Sequence, residues 1–217
     1  MREILFVAGE ASGDLHGAGV ARALGEMGAP FSLAGIGGDR MRDAGVTLLA
    51  HVEKLAVMGF VEVLKHVPLH YRLANELRRR IRSGNVAVVV LIDYPGFNMK
   101  LAAAAAAAGV PVLYYITPQV WAWGAGRLSE LARIVTRAAT ILPFEESLLR
   151  SHGINATFVG HPLFDEIVIS PSPGTPGEFS TRVEYRAREY RYHFPRATFG
   201  STSLMFGLGG GFMPWPM

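Results

Sequence analysis

The chain has 217 residues, of which 50% are hydrophobic and 18% charged, and it contains no cysteine. This composition is typical of a globular domain, and the lack of cysteine excludes disulfide frameworks and thiolate metal sites. The formal net charge of +3 comes from 21 basic and 18 acidic residues, a balance too even to predict a nucleic-acid-binding surface. We therefore expect one main domain, no nucleic-acid partner and a reducing compartment, most simply the cytoplasm.

Short aliphatic runs alternate with longer helical segments, the pattern of parallel strands joined by helical crossovers. Strands are predicted at 4–8, 31–34, 86–92, 112–116, 140–142 and 157–159. Helices are predicted at 14–27, 69–82, 98–108, 127–137 and 144–152, most of them followed by a glycine suited to a C-terminal cap. The predicted fold class is therefore α/β, with a Rossmann-like, doubly wound and mainly parallel sheet.

Two apolar stretches could be mistaken for membrane segments. The run at 4–8 is too short for the core of a signal peptide. The run at 101–116 contains Gly109 and Pro111, and it falls short of the roughly 20 residues that a spanning helix needs. We expect neither a signal peptide nor a transmembrane helix.

The alternation of strands and helices stops near residue 167. Residues 170–177 read Ser-Pro-Ser-Pro-Gly-Thr-Pro-Gly, a composition typical of a linker or turn-rich coil. An Arg- and Tyr-rich stretch and then a Gly-, Met- and Pro-rich stretch follow. We expect residues 1–166 to form the Rossmann-like domain and residues 167–217 to be an irregular, poorly packed tail that is not a domain.

The first predicted strand leads into a glycine-rich turn, Gly-Glu-Ala-Ser-Gly-Asp at 9–14. Glycine lets a ligand approach the backbone, and the free N–H groups of a helix start favour anions and hydroxyls. The turn lacks the Lys-Ser/Thr of a P-loop and does not fit G-x-G-x-x-G. Two interpretations stay open, a tight turn capped by Ser12 or Asp14 and a ligand-binding site.

Asp93 follows the predicted strand at 86–92 and precedes a rigid Tyr-Pro-Gly-Phe-Asn turn at 94–98. Ligands of open α/β sheets bind at this carboxyl edge, where an aspartate needs only hydrogen-bond reach of a hydroxyl to act as a general base. An aspartate that caps the next helix or bonds the turn backbone is an equally good interpretation.

Two of the three tryptophans lie at the end of the following strand, in Thr-Pro-Gln-Val-Trp-Ala-Trp at 117–123. Aromatic rings suit sugar faces and acyl chains, and indole N–H groups fix orientation. Packing beneath the loop is the alternative for one of Trp121 and Trp123.

The segment at 54–64 is apolar on nearly all sides, which fits either a buried helix or a segment that dips into a bilayer interface. The arginines between 78 and 82 fit a solvated last helical turn better than a phosphate or headgroup site. The seven histidines show no metal-ligand spacing, so no metal site is expected.

Six segments in order resemble lipid-A-disaccharide synthases. They are Val-Ala-Gly-Glu-Ala-Ser-Gly-Asp at 7–14, Leu-Ala-Val-Met-Gly-Phe-Val-Glu-Val-Leu at 55–64, Ile-Asp-Tyr-Pro-Gly-Phe-Asn at 92–98, Gln-Val-Trp-Ala-Trp at 119–123, Leu-Pro-Phe-Glu at 142–145 and Phe-Val-Gly-His-Pro at 158–162. The resemblance runs from Arg2 to about Glu166. Members of this family are GT-B glycosyltransferases with two Rossmann-like domains, the first for the acyl-sugar acceptor and the second for the UDP-sugar donor.

The resemblance implies an inverting sugar transfer in lipid A biosynthesis, without cofactor or metal. UDP-2,3-diacylglucosamine would donate its sugar to the 6-hydroxyl of 2,3-diacylglucosamine 1-phosphate, at the inner face of the inner membrane. Asp93 takes the position of the general base. The implied substrate-binding residues are Glu10, Ser12, Gly13, Asp14, Asn98, Gln119, Trp121 and Trp123, and the implied membrane contacts are Val57, Met58, Phe60 and Val61.

No donor-binding motif is found after Glu166. We therefore expect an incomplete chain that holds the acceptor side only and turns over slowly or not at all by itself. A non-catalytic fragment that binds acyl-sugar or membrane, and another sugar-nucleotide GT-B enzyme, are the alternative functions. The Asp-x-Pro-x-Phe-Asn and Val-Trp-Ala-Trp strings disfavour the second alternative.

Overall fold

A computed structural model describes residues 1–54, 60–119, 125–162, 167–172, 178–185 and 188–195 of the chain. The chain divides into two compact units, Met1–Pro162 and Leu163–Met217. The first unit carries all the predicted site residues, and the second is described by its strands alone.

The first unit alternates strands and helices along its length. Its elements are β1 (Glu3–Ala8), α1 (Ala11–Glu26), β2 (Ser32–Gly37), α2 (Asp39–Asp43), β3 (Thr47–His51), a 3-10 turn (Val52–Lys54), α3 (Phe60–Arg82), β4 (Val86–Ile92), α4 (Pro95–Ala107), β5 (Val112–Tyr115), α5 (Ala125–Ile134), β6 (Arg137–Thr140), α6 (Pro143–Ser151) and β7 (Ala156–Phe158).

These seven strands form one sheet in the order β3-β2-β1-β4-β5-β6-β7, and every neighbouring pair is parallel. The chain first adds strands on one side of β1 and then crosses back to add β4 on the other side. This reversal between β1 and β4 is the topological switch point at which open α/β sheets bind ligands. The predicted Rossmann-like, doubly wound fold is confirmed.

The two strands at the switch point are covered on both faces, as their nearly continuous aliphatic sequences require. Leu5, Phe6 and Val7 of β1 and Leu91 and Ile92 of β4 are fully buried. Helix α1 packs closely against these strands, and Gly13 and Gly17 allow this, since a Cβ at position 13 would meet Ala8 and one at position 17 would meet Ile92. Close packing of this helix fixes the position of its first turn relative to the carboxyl ends of β1 and β4.

Some elements differ from the sequence prediction. The short helix α2 and the strand β3 were not predicted, and α3 begins at Phe60 rather than at residue 69. The sixth strand occupies Arg137–Thr140 instead of 140–142. Within the ranges that the structure describes, no helix is long and apolar enough to cross a bilayer.

The second unit contains three strands that the sequence analysis did not predict: β8 (Ile167–Ser172), β9 (Glu178–Tyr185) and β10 (Arg188–Pro195). They pair antiparallel in the order β10-β9-β8. The coil expected at 170–177 thus begins inside a strand. Prolines 171 and 195 lie on β8 and β10, the two outer strands of this sheet, where a missing backbone donor is tolerated. That residues 167–217 are not a domain stays a prediction.

Candidate functional site

The candidate site lies at the carboxyl ends of β1, β4 and β5. Asp93 follows β4 directly and lines two openings in the surface. The first, called the crevice below, is lined also by Gly9, Glu10, Ser12, Gly13, Ile92 and Tyr94. The second, called the cleft, measures about 280 Å³ and is lined by Asp93, Pro95, Ile116, Thr117, Pro118, Gln119, Ile141, Leu142 and Glu145. Asp93 therefore stands between the crevice and the cleft.

The backbone at this edge of the sheet is strained. Asp93, Tyr94 and Ile116 have φ values of 47°, 51° and 58°, in the left-handed region that residues with a Cβ rarely adopt. Each such residue costs about 1–3 kcal/mol and persists only where the surrounding structure imposes it. Among the described residues, these are the only non-glycine residues with positive φ. Their concentration at the ends of two adjacent central strands is the reason to regard this edge as the candidate site.

Asn98 and Tyr114 hold the strained turn in place. The amide of Asn98 is fully buried, and its Nδ2 donates to the carbonyl oxygens of Asp93 at 2.7 Å, Ile92 at 3.3 Å and Val7 at 3.4 Å. The hydroxyl of Tyr114 donates to the same Asp93 carbonyl at 2.9 Å. These bonds make Asn98 a brace between β1 and the end of β4, and its predicted contact with substrate stays a prediction.

The main chain of Asp93 is anchored at both ends of the residue, since its N–H also donates to the Tyr115 carbonyl at 3.1 Å. Its half-buried carboxylate makes no hydrogen bond to any residue in the described part of the chain. Burial, and secondly the negative charge of Asp93, raise the pKa of Tyr114. A side-chain hydrogen bond with Asn98 lowers this pKa but does not cancel the increase. Tyr114 thus stays neutral and keeps its proton for the Asp93 carbonyl.

Tyr94 covers the start of the glycine-rich turn. A Cβ at position 9 would collide with the Tyr94 ring, so only glycine lets the ring lie there. The Tyr94 hydroxyl bonds His70 Nε2 at 3.0 Å, and its ring stacks on Phe97 at 5.8 Å. Burial first, and then the charge of Glu10, raises the pKa of Tyr94. Neither His70 nor Tyr94 was predicted as part of the site, because neither residue type is diagnostic at its position in the sequence.

Asp14 does not cap its own helix. The N-cap of α1 is Glu10, with no capping side-chain bond, so the proposed caps Ser12 and Asp14 are both wrong. Asp14 is 5% exposed, and its carboxylate accepts the N–H groups of Gly38 at 2.6 Å, Met41 at 3.0 Å and Arg40 at 3.2 Å. It therefore caps α2 from a neighbouring helix. The predicted contact of Asp14 with substrate stays a prediction.

The other predicted residues of this turn border the crevice. Glu10 and Ser12 are exposed and Gly13 is buried beneath them. The first turn of α1 presents N–H groups that have no partner within the helix, and such groups bind hydroxyls and anions. Glu10, Ser12 and Gly13 therefore remain candidates for binding substrate.

The cleft on the other side of Asp93 has both apolar and polar lining residues, and none of its described lining residues carries a cationic side chain. Glu145 is 2% exposed, and its Oε2 accepts the N–H of Leu142 at 3.4 Å. Thr117 is 5% exposed, and its hydroxyl has no hydrogen-bond partner among the described residues. Gln119, a predicted substrate residue, is exposed at the rim.

Several predicted residues cannot be placed. Trp121, Trp123, Val57 and Met58 lie outside the described residues, and Phe60 and Val61 lie in α3 at positions whose side chains are likewise outside them. Their roles in substrate and membrane binding stay predictions.

The arginine cluster at 78–82 lies at the end of α3, just before β4 begins, and so at the amino edge of the sheet, opposite to Asp93. Arg79 pairs with Glu76, and Arg80 pairs with Glu3 at 2.8 Å. Arg79 and Arg82 are exposed, as a solvated last turn requires, whereas Arg80 is half-buried against Glu3. Within the described residues, no group of three or more His, Asp or Glu side chains could hold a metal ion.

Comparison with known proteins gives a consistent result. The lipid-A-disaccharide synthetase family model matches residues 4–179. Lipid-A-disaccharide synthases of Geobacter sulfurreducens and Trichlorobacter lovleyi are 49% and 45% identical over 164 and 169 residues, covering 76% and 78% of this chain but only 43% and 44% of the relatives. The relative from Anaeromyxobacter dehalogenans is 41% identical over 83% of this chain and 46% of its own length. The chain spans less than half the length of these relatives. With this match, the chain belongs to the lipid-A-disaccharide synthetase family.

Proposed function

We propose that this chain is the acceptor-binding half of a lipid-A-disaccharide synthase, with Asp93 as the general base. The observation that carries the proposal is the placement of Asp93. It stands at the switch point between β1 and β4, its backbone is held by Asn98 and Tyr114, and its carboxylate makes no hydrogen bond to the described residues. A carboxylate held in this way is available to accept a proton from a bound hydroxyl.

In the proposed reaction, the acceptor is 2,3-diacylglucosamine 1-phosphate and the donor is UDP-2,3-diacylglucosamine. The 6-hydroxyl oxygen of the acceptor forms a bond to C1 of the donor sugar while its proton passes to the Asp93 carboxylate. The bond from C1 to the UDP oxygen breaks, UDP leaves with the electron pair, and the configuration at C1 inverts. Departure of a diphosphate needs charge stabilisation, and the cleft has no cation among its described lining residues.

The proposal divides the predicted substrate residues by role. Glu10, Ser12 and Gly13 in the crevice and Gln119 at the rim of the cleft contact the acceptor, together with Trp121 and Trp123. Asp14 and Asn98 position the backbone that carries them. The acyl chains reach the site from the inner face of the inner membrane, where Val57, Met58, Phe60 and Val61 make the contact.

The test joins the C-terminal part of the Geobacter sulfurreducens relative, which this chain does not match, after Glu166. UDP release with both lipid sugars is then compared between the parent and Asp93→Asn. Asparagine is close to isosteric and tolerates positive φ as aspartate does, so the turn should keep its shape. Removal of the base should lower kcat by roughly 10²–10⁴-fold.

Asp43→Asn serves as the matched control, because Asp43 is an exposed aspartate whose carboxylate lies 3.8 Å from Arg42. An Asp93→Asn protein as active as its parent would remove the base assignment. The 217-residue chain alone should bind the acceptor without releasing UDP, and brisk turnover by it would show that the chain needs no donor half. Acceptor binding by the chain but no turnover in the joined protein would favour a non-catalytic binding fragment.

A further inference from the structure

The cleft has the chemistry of a site for uncharged hydroxyl groups. Its described polar side chains are two carboxylates, Asp93 and Glu145, one amide, Gln119, and one hydroxyl, Thr117. A phosphate here would meet negative charge without a compensating cation. Sugar hydroxyls, by contrast, donate hydrogen bonds to carboxylates and accept them from hydroxyls.

Thr117 is the observation that points to a ligand. Buried hydroxyl groups in folded proteins are nearly always hydrogen-bonded, and an unmade bond costs free energy. The Oγ1 of Thr117 is buried and has no partner among the described residues, although the residue forms part of the cleft wall. It follows Ile116, which has a positive φ and lines the same cleft. A group that enters the cleft can supply the missing partner.

The proposed acceptor poses a problem of selection, and this inference rests on that proposed function. With positions 2 and 3 acylated and position 1 phosphorylated, the ring keeps two free hydroxyls, at C4 and C6. Only the 6-hydroxyl is to receive the donor sugar. Because Asp93 and Thr117 line the same cleft, one hydroxyl can face the base while its neighbour is held by Thr117.

We propose that the cleft binds the uncharged C4–C6 edge of the acceptor sugar, with Thr117 and Glu145 holding the 4-hydroxyl so that the 6-hydroxyl reaches Asp93. Thr117 is then a specificity-determining residue, and the 1-phosphate lies outside the cleft.

The experiment measures binding of a short-acyl acceptor, 2,3-dibutanoylglucosamine 1-phosphate, and of its 4-deoxy analogue to the 217-residue chain by calorimetry. Thr117→Val keeps the side-chain shape and removes the hydroxyl, and Thr117→Ser keeps the hydroxyl. Thr140→Val is the matched control, since Thr140 is also fully buried but its hydroxyl already bonds the Thr157 carbonyl at 3.4 Å.

Thr117→Val should weaken binding of the acceptor about 5–30-fold, which corresponds to about 1–2 kcal/mol, while binding of the 4-deoxy analogue should not change. Thr117→Ser should restore acceptor binding, and Thr140→Val should leave it at the parent value. The inference is overturned if Thr117→Val binds the acceptor as tightly as the parent, or if it weakens both ligands equally. A parent chain that binds no acceptor would instead refute the proposed function, and this inference with it. Thermal unfolding of each variant confirms that the fold is kept.

Discussion

Replacement of Asp14 by asparagine separates a structural role from a substrate contact. The carboxylate of Asp14 receives three backbone N–H groups at the start of α2, two on Oδ1 and one on Oδ2. Asparagine keeps one oxygen, which can still accept the N–H groups of Gly38 and Met41. Its NH₂ group then faces the N–H of Arg40, and two donors cannot bond each other.

The expected loss of stability follows from these bonds. Hydrogen bonds to a charged group contribute about 1.5–3 kcal/mol and neutral ones about 0.5–1.5 kcal/mol. Two bonds are weakened and one is lost, while burial of a neutral amide in place of a carboxylate offsets part of the cost. We expect Asp14→Asn to lower the free energy of unfolding by about 2–4 kcal/mol, or the melting temperature by about 5–15 °C for a chain of this size.

Urea unfolding followed by circular dichroism measures this loss as a lower midpoint at unchanged slope. Asp43→Asn again provides the control, because Asp43 is exposed and pairs with Arg42 only at 3.8 Å; its effect should stay within about 0.5 kcal/mol. If Asp14→Asn unfolds at the same urea concentration as the parent, the three bonds do not hold α2. If it is equally stable and loses acceptor binding, the original substrate prediction for Asp14 is right.

Two further changes test the same edge of the sheet. The raised pKa values of Tyr94 and Tyr114 mean that the folded state holds these protons when an unfolded tyrosine, with a pKa of about 10, releases them. The free energy of unfolding should therefore fall as the pH rises above 10. Tyr114→Phe should make this decrease with pH less steep, as measured by urea unfolding at pH 9–11. An equally steep decrease in the variant would contradict the raised pKa of Tyr114. Gly9→Ala should displace the Tyr94 ring and lower the free energy of unfolding by about 1–3 kcal/mol. Gly19→Ala, at an exposed helical position where a Cβ would have no atom within 4 Å, should raise the free energy of unfolding by about 0.5–1 kcal/mol. Equal effects of the two changes in thermal unfolding would exclude the contact between position 9 and the Tyr94 ring.

The buried strands and the long helices could be predicted from sequence because their signals are local. The runs at 4–8 and 86–92 are aliphatic throughout, and β1 and β4 occupy them almost residue for residue. Helix α2 gave no such signal. It has five residues and is held by the carboxylate of Asp14, a partner far away in the chain, so no window of sequence contains its cause.

Contacts between residues far apart in the sequence also limited prediction of the candidate site. Asp93 was located correctly at a carboxyl edge, since the end of an aliphatic run fixes where a strand stops. The roles of its neighbours depend on which carbonyl or N–H group each side chain meets. Asn98 and Asp14 have the polarity of binding residues, but their hydrogen bonds go to the backbone. Thr117 has an ordinary sequence context, and only the missing partner of its buried hydroxyl distinguishes it.

The anchoring of Asp93 fixes the position of the proposed base but leaves the orientation of its carboxylate free. Its N–H and its carbonyl are both hydrogen-bonded at the sheet edge, so the position of its Cα atom is fixed before any ligand binds. Only the two torsions of a short side chain remain to be set. Ordering one side chain on binding costs about 0.5–1.5 kcal/mol, whereas ordering a loop costs about 1–2 kcal/mol for each residue of backbone. In the proposed reaction, the carboxylate can therefore turn toward the acceptor hydroxyl and take its proton without any movement of the main chain.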